Sequence, residues 1–138
     1  MSQNAQDLVR KSFEFFNAND VSSLRALYAD DCSEQDMATG ERMEGGDAAV
    51  KGLLAFKEAF PDLRATLRHL HSAGNTVIAE ANFTGRHTAP LEWVTGVLAP
   101  TDRRLSLDVI EVMETGDGKI QRIRVYYDTG AITSQLIR

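Results

Sequence analysis

Residues 105–128 read LSLDVIEVMETGDGKIQRIRVYYD and contain two runs in which apolar and polar side chains alternate. The runs are Leu105 to Glu114 and Lys119 to Asp128, separated by the turn sequence Gly116-Asp117-Gly118. A period of two is typical of a β-strand with one buried face. A short glycine turn joins antiparallel neighbours. The stretch therefore predicts a β-hairpin in a half-buried sheet.

One carboxyl group stands on the apolar face of the first strand of this hairpin. That face carries Leu105, Leu107, Val109, Glu111 and Met113. A carboxylate that loses water among such side chains keeps a proton at neutral pH or finds a hydrogen-bond donor, because an unpaired buried charge is too costly. Either outcome suits an acid in a pocket. The alternative is a structural glutamate near a sheet edge, or one paired with Arg122 or Arg124.

A second hairpin is predicted upstream, with strands over Leu63 to Ser72 and Thr76 to His87. Residues 73–75 read AGN and form the turn between them. His87 has the same strand parity as Val77 and therefore points to the apolar side, at the end where a long loop begins. This position favours a histidine at a pocket mouth, and a buried structural histidine is the alternative.

The other histidines give no metal-site pattern. His69 and His71 share parity with Leu63, which predicts positions in or beside a sheet interface. No His-x-Glu or Cys-x-x-Cys spacing indicates zinc. The glycines at residues 45–46 lack the spacing of a phosphate loop or a dinucleotide motif. We therefore expect neither a metal nor a nucleotide cofactor.

Helical periodicity dominates the first part of the chain. Helices are predicted over residues 8–16, 21–28 and 47–60, with Asp20 and Asp47 as N-caps of the second and third, and a short helix over residues 131–137 closes the chain. The polar segment at residues 30–37 is predicted as an edge strand or an extended arm. Residues 88–102 are predicted as a long loop in which Trp93 could act as a lid.

Helices followed by strands predict an α+β fold. We expect one domain over residues 1–138, with a curved antiparallel or mixed sheet and about three helices on its concave face. Such a cone leaves a pocket.

Composition narrows the classes of partner. The chain has 138 residues, 43% hydrophobic and 25% charged, with a net charge of -5. An acidic balance disfavours nucleic acid, and no run approaches the ~20 apolar residues that cross a bilayer. The only cysteine, Cys32, excludes an intramolecular disulfide. Together with a polar beginning of the chain, this predicts a cytoplasmic protein without membrane partners.

Asp36 is the second candidate acid. A short strand ahead of Thr39-Gly40 could carry its side chain from the surface to the cavity. The alternative is an Asx-turn residue that faces solvent.

Several motifs together resemble the nuclear transport factor 2-like superfamily, also called cystatin-like, and within it the SnoaL-like polyketide cyclases. They are residues 60–64 (FPDLR), 85–87 (GRH), 99–104 (APTDRR), 117–120 (DGKI) and 127–128 (YD). The resemblance covers almost the whole chain. It implies a cone-shaped α+β fold and is less specific for the reaction, because unrelated activities share such a fold.

The cyclase pattern implies pocket roles at three positions. Its pocket histidine falls at Glu111 and its pocket asparagine near Asp36. Its acid/base aspartate falls at Val125, and valine neither takes nor gives a proton. Strand parity directs Val125 inward with Ile123 and Tyr127, so the usual machinery for aldol cyclisation is missing.

Residues 28–31 (YADD), Asp36 and residues 107–113 also resemble ketosteroid isomerase. That resemblance implies a proton-shuttling base at Asp36 and a protonated acid at Glu111 that hydrogen-bonds an enolate. The tyrosine of that oxyanion hole falls at Ser12, whose side chain is too short to replace it. Loss of one such donor costs about a hundredfold or more in rate.

These observations predict a cofactor-free isomerase, cyclase or lyase that acts on a hydrophobic, polyketide-like or steroid-like carbonyl compound. Asp36 and Glu111 are the predicted catalytic residues. The predicted substrate-binding residues are His87, Phe16, Trp93, Val125, Tyr127 and Ser12. A non-catalytic binding or dimerisation module and an epoxide hydrolase-like enzyme are the alternatives, and a homodimer is expected by analogy with the superfamily.

Overall fold

The computed structural model describes residues 2–93 and 96–137. Its helices are α1 (Ser2–Ala18), α2 (Val21–Ala26), α3 (Gly46–Ala59) and α4 (Thr129–Leu136). Its strands are β1 (Tyr28–Asp36), β2 (Arg42–Glu44), β3 (Arg64–Ala73), β4 (Thr76–Arg86), β5 (Leu91–Trp93), β6 (Gly96–Leu98), β7 (Arg104–Gly116) and β8 (Lys119–Tyr126). The predicted α+β class is confirmed.

Six of the strands form one curved, mixed sheet in the order β2-β1-β8-β7-β4-β3. All neighbours are antiparallel except β1 and β8, which run parallel. The predicted hairpins are β3–β4 and β7–β8. The polar segment predicted as an edge strand or arm is instead β1, an inner strand, although its outer neighbour β2 has only three residues.

The predicted loop at residues 88–102 contains a small separate hairpin. Strands β5 and β6 pair antiparallel, and Leu91 is buried against the core. Trp93 ends β5. Its side chain, and the turn at residues 94–95, lie outside the described residues.

Helix α1 supplies the main cover of the sheet. Its buried stripe includes Val9, Phe13 and Phe16, and the helix packs on β3 and β4. The Phe16 and Phe83 rings meet edge to face with centroids 5.8 Å apart. Burial of each such side chain contributes roughly 1.5–3 kcal/mol relative to exposure. Sequence periodicity therefore located the helix face correctly.

A buried lysine joins α3 to the end of α1. The Lys57 Nζ donates a hydrogen bond to the Phe16 carbonyl and lies 4.0 Å from the centroid of the Phe16 ring. Burial lowers the pKa of this ammonium group. The lysine thus adds a hydrogen bond to the Phe16 carbonyl, which also accepts one from the Asn19 amide, and contacts an aromatic face at the same time.

A bulge in β3 overturns the predicted placement of two histidines. Leu67 pairs with Ala81, but His69 pairs with Glu80, so the register shifts by one residue at Arg68. A one-residue shift moves every later side chain to the opposite face. His69 and His71 are consequently exposed on the outer face and do not lie in an interface with the core.

Side-chain amides on two helices form hydrogen bonds with backbone groups of strands. Asn17 of α1 receives a hydrogen bond from the Ala65 amide and donates one to the Ala65 carbonyl, both at 2.8 Å. Gln135 of α4 bonds the Ser106 amide at 2.7 Å and its carbonyl at 2.9 Å. Each amide therefore replaces a neighbouring strand where the sheet provides none.

Over the described residues, no helix combines the length and the apolar content needed to cross a bilayer.

The start of α3 differs from the predicted Asp47 cap. The N-cap is Gly45, whose φ of 95° favours glycine, and no side chain caps the helix there. Asp47 lies in the first turn and accepts a hydrogen bond of 2.6 Å from Arg25. The chain is tight at this point, because a Cβ atom on Gly46 would lie 2.7 Å from the Ala29 carbonyl oxygen.

We expect Gly46→Ala to lower the free energy of unfolding by about 1–3 kcal/mol, because the new methyl group meets backbone. Gly52→Ala in the same helix is the matched control, since its methyl group would meet only the flexible end of Met43. That control should stay within about 1 kcal/mol of the wild type. Urea denaturation measures both. Equal stability of the two variants would contradict this account of the α3 start.

Candidate active site

Four neighbouring strands place one row of side chains across the concave face. Asp36 on β1 is in register with Val125 on β8, and Val125 with Glu111 on β7. Glu111 is in register with Ala79 on β4. Side chains in register on adjacent strands point to the same side of a sheet. The backbones of the two predicted catalytic acids are therefore two strand spacings apart, roughly 10 Å, with Val125 between them.

Glu111 is the deepest carboxyl group of this row. It is 8% exposed, and no described residue gives its side chain a hydrogen bond. Burial raises its pKa to about 7. The alternative of a partner arginine is wrong, because Arg124 binds Glu114 at 2.8 Å. A substantial fraction of Glu111 is thus a neutral carboxylic acid at neutral pH, able to donate a hydrogen bond.

The carboxyl group of Glu111 faces a small cavity beneath α1. The lining residues are Ser12, Phe13, Phe16, Tyr28, Leu53, Phe83, Glu111 and Met113. The cavity volume is about 10 Å³, enough for about one water molecule. Aromatic side chains fill most of the space that the cone shape predicts as a pocket. A substrate of fused-ring size therefore requires these side chains to move.

Asp36 makes the turn interaction of the alternative interpretation and is not among the residues that line the cavity beside Glu111. Its Oδ1 accepts hydrogen bonds from the Ala38 and Thr39 amides at 2.9 and 3.0 Å, which is the turn interaction. Its Oδ2 accepts a hydrogen bond of 2.6 Å from the Tyr127 hydroxyl. The side chain is half-buried and does not face bulk solvent freely. Burial and the Asp36 contact both raise the pKa of Tyr127, so this phenol stays a donor.

Glu34 is a third carboxyl group of the site, which the sequence reasoning missed. It lies two residues before Asp36 on β1, in register with Ile123 of β8, and therefore on the same face. Burial raises its pKa to about 8, and the charges of Glu111 and Asp36 add to the shift. Its parity with buried Cys32 and with Asp36 was the available signal. The overall polarity of the segment hid it.

His87 lies apart from these acids. It is completely buried, its ring stacks on Phe60 at 5.2 Å, and its Nδ1 accepts a hydrogen bond of 3.1 Å from the Thr101 amide. This bond leaves the proton on Nε2, which has no hydrogen-bond partner among the described residues. Burial lowers the pKa of the ring and favours its neutral form. The structure does not bring His87 to the cavity lining.

The other predicted substrate-binding residues are only partly brought together. Phe16 and Ser12 line the cavity, but the Ser12 hydroxyl donates to the Val9 carbonyl at 2.6 Å within α1. Val125 and Tyr127 lie along the row toward Asp36 and are half-buried. Tyr28, which the sequence reasoning did not select as a site residue, lines the cavity beside Glu111. Burial and the nearby charge of Glu111 raise the pKa of this phenol well above its usual range.

Among residues 2–93 and 96–137, no group of three or more His, Cys, Asp or Glu side chains could hold a metal ion.

Solved structures with similar folds span nearly the whole chain. A SnoaL-like protein of Jannaschia sp. CCS1 aligns with a TM-score of 0.88 at 18% identity, covering 99% of this chain and 93% of that one. IdmH of Streptomyces antibioticus, a candidate polyketide cyclase, aligns with a TM-score of 0.80 at 22% identity, covering 96% of this chain and 97% of that one. A Mycobacterium tuberculosis LEH-like epoxide hydrolase aligns with a TM-score of 0.76 at 18% identity, covering 99% of this chain and 92% of that one. At these identities the likeness establishes the shared nuclear transport factor 2-like fold.

Sequence comparison assigns the family. Among curated proteins, none matches the chain significantly. The family model of the SnoaL-like polyketide cyclases matches residues 6–136. The chain therefore belongs to the SnoaL-like polyketide cyclase family.

Proposed function

We propose that this protein is a cofactor-independent acid–base enzyme of the isomerase or cyclase type. Its substrate is a hydrophobic carbonyl compound, polyketide-like or steroid-like, bound between α1 and the concave face. Asp36 removes a proton next to the carbonyl group, and Glu111 stabilises the resulting enolate.

One observation carries this proposal: Glu111 is buried among apolar side chains without a hydrogen-bond partner and still faces a cavity. An unsatisfied buried carboxyl group costs on the order of 1–3 kcal/mol or more in stability. That cost is offset when a ligand supplies the missing partner. A carbonyl oxygen is such a partner for a neutral carboxylic acid.

The substrate, Asp36 and Glu111 account for every proton that moves in the reaction, so no cofactor is needed. The substrate Cα–H bond breaks, its electron pair moves onto the carbonyl oxygen, and the proton forms an O–H bond with Asp36. The Glu111 O–H donates a hydrogen bond to the developing enolate oxygen and keeps its proton. Return of a proton to carbon completes an isomerisation, whereas attack of the enolate carbon on a second carbonyl completes a cyclisation. Each role follows from the environment of the acid.

A non-catalytic binding or dimerisation module is the rival function. The small cavity and the replacement of an acid/base aspartate by Val125 favour it. Epoxide opening is named for one structural relative. As an acid-assisted addition of water, we expect it to need a carboxylate, an arginine and a second acid in contact. Among the described residues that line the cavity there is no arginine.

The first test uses cyclohex-3-en-1-one, a small β,γ-unsaturated ketone. We expect the wild type to exchange the protons next to its carbonyl in deuterated water and to convert it to the conjugated isomer. Asp36→Asn should lower both rates at least a hundredfold, because an amide cannot accept the proton. Glu111→Gln should lower them about a hundredfold through loss of the acid. Proton NMR measures both rates.

Asp31→Asn is the matched control for the proton-exchange test, because Asp31 is an exposed aspartate of the same strand. It should retain the wild-type rates. Saturable binding of the ketone without exchange would support the binding module and refute the proposed enzyme.

The raised pKa of Glu111 predicts a pH-dependent stability. Between about pH 4.5 and pH 7 the folded state holds a proton that the unfolded state has released, so the free energy of unfolding falls as pH rises. Glu111→Gln removes this contribution. From pH 5 to pH 8, the free energy of unfolding of the variant should rise relative to that of the wild type by on the order of 2 kcal/mol.

Urea unfolding at the two pH values measures this pH-dependent difference. Glu14→Gln, at an exposed glutamate of α1, is the control and should keep the wild-type pH dependence. If Glu111→Gln and the wild type lost stability in parallel, Glu111 would be an ordinary ionised glutamate.

The homodimer expected from the resemblance is also a proposal, supported by the outer face of the sheet. Ile110 and Tyr126 are in register there and are 43% and 41% exposed. The groove around them also contains side chains of both charge signs, including Arg68 and Asp108. An exposed apolar strip between opposite charges is self-complementary about a two-fold axis.

Ile110→Arg should convert the dimer to a monomer, because it places two like charges at the axis of the interface. Light scattering coupled to size-exclusion chromatography measures the mass. Val97→Arg, on the β5–β6 hairpin, is the control and should leave the mass unchanged. A wild type that is monomeric at every concentration would exclude this interface.

A further inference from the structure

We infer that Glu34 is a third catalytic acid of the site, which shares the cavity side of the sheet with Glu111 and delivers the proton that the product receives. The inference rests on the proposed function and extends it. Asp36 takes a proton from one position of the substrate, and Glu34 supplies a proton at another.

The strand register places Glu34 within reach of both other acids. Glu34 and Asp36 are two residues apart on the same face of β1, roughly 7 Å between Cα atoms. Glu34 pairs with Ile123, and Ile123 with Met113, which follows Glu111 by two residues on β7. Glu34 thus lies diagonally opposite Glu111 across one intervening strand, a separation that two glutamate side chains can bridge around a small ligand.

Glu34 and Asp36 differ in their hydrogen bonding. Asp36 accepts three hydrogen bonds, from the Ala38 and Thr39 amides and from the Tyr127 hydroxyl. No described residue gives a hydrogen bond to the carboxyl group of Glu34. Donors stabilise the ionised form of an acid, and their lack favours the neutral form. Adjacent acids with unlike partners suit opposite roles, Asp36 as acceptor and Glu34 as donor.

The charges that act on Glu34 from neighbouring elements have one sign. They are Glu111 of β7, Asp36 of its own strand and Glu41 of the following turn. Tyr28 of β1 and Tyr127 after β8 are the phenols of this region, and burial raises the pKa of each. The β2 neighbour in register with Glu34 is Met43, which does not titrate. These groups provide no positive charge to hold Glu34 ionised.

The buried state of Glu111 points to a ligand independently of Glu34. The residue is 8% exposed, its side chain has no hydrogen-bond partner within the described part of the chain, and it lines the cavity. A ligand oxygen bound by Glu111 would leave its carbon skeleton extending along the row toward Val125. Glu34 and Asp36 then lie on the side of the sheet where the skeleton ends.

The transfers balance over one cycle. The substrate C–H bond breaks and an Asp36 O–H bond forms. The Glu34 O–H bond breaks and a new C–H bond forms on the product. Asp36 then returns its proton to Glu34, directly or through one water molecule, and both acids regain their starting states. Glu111 donates a hydrogen bond throughout and exchanges no proton.

The experiment separates abstraction from delivery with cyclohex-3-en-1-one in deuterated water. Glu34→Gln should lower formation of the conjugated ketone about a hundredfold. Exchange next to the carbonyl, which needs Asp36, should stay within about threefold of the wild type. Asp36→Asn should lose both. Equal loss of exchange and conversion in Glu34→Gln, or loss of neither, would overturn the role of Glu34.

A titration tests the same inference without a substrate. With ¹³C-labelled glutamate, the Glu34 carboxyl signal, assigned by its absence in Glu34→Gln, should titrate near pH 8. In Glu111→Gln it should move at least half a unit lower, because a neighbouring negative charge is gone. Glu80→Gln on the outer face is the control and should not move it.

The titration and turnover experiments distinguish failure of the Glu34 inference from failure of the proposed function. A Glu34 signal that titrates near 4.5, or that ignores Glu111→Gln, overturns the inference even if the protein is an enzyme. A signal that behaves as expected while the wild type neither exchanges nor converts the ketone supports the Glu34–Glu111 pairing and refutes the proposed function.

Discussion

The structure depends on the register of β7, which pairs along most of its length with β4 on one side and with β8 on the other. Strict alternation in this strand fixes which side chains reach the core, and Glu111 is thereby committed to the concave face. A slip by one residue would place Ile110 and Val112 inside and remove Glu111 from the cavity. The position of the acid is therefore a consequence of the pairing that holds the sheet together, and not of a local loop conformation. Packing of α1 across this face then buries the Glu111 side chain beside a cavity of about one water molecule.

The sequence was informative wherever alternation ran without interruption. The faces of β7 and β4 follow directly from parity, as does the inward position of Val125. Parity failed in β3 because a bulge at Arg68 reversed the faces of His69 and His71, and no residue type in that strand announces such a bulge. In β1 the register also shifts, between Tyr28 and Ser33. The inward position of Glu34 follows from its parity with Cys32 and Asp36 beyond this shift, and the polarity of the segment hid it.

Pocket size was beyond reach of sequence reasoning for a different reason. The curvature of the sheet follows from its strand order, but the free volume depends on how Phe13, Phe16 and Phe83 pack against one another. The cavity of about 10 Å³ is lined largely by aromatic side chains. Family membership fixes the fold, whereas the acids present in this chain decide the chemistry.

The amides of Asn17 and Gln135 have a consequence for behaviour at high concentration. An open strand edge recruits a strand from another molecule, which is the first step of domain swapping and fibril growth. At Ala65 and Ser106 the backbone groups that would be recruited are already engaged by side chains of the same chain. The bulge at Arg68 interrupts the same outer strand further along. The side-chain amides of one asparagine and one glutamine thus leave fewer open backbone groups for a strand of another molecule to pair with.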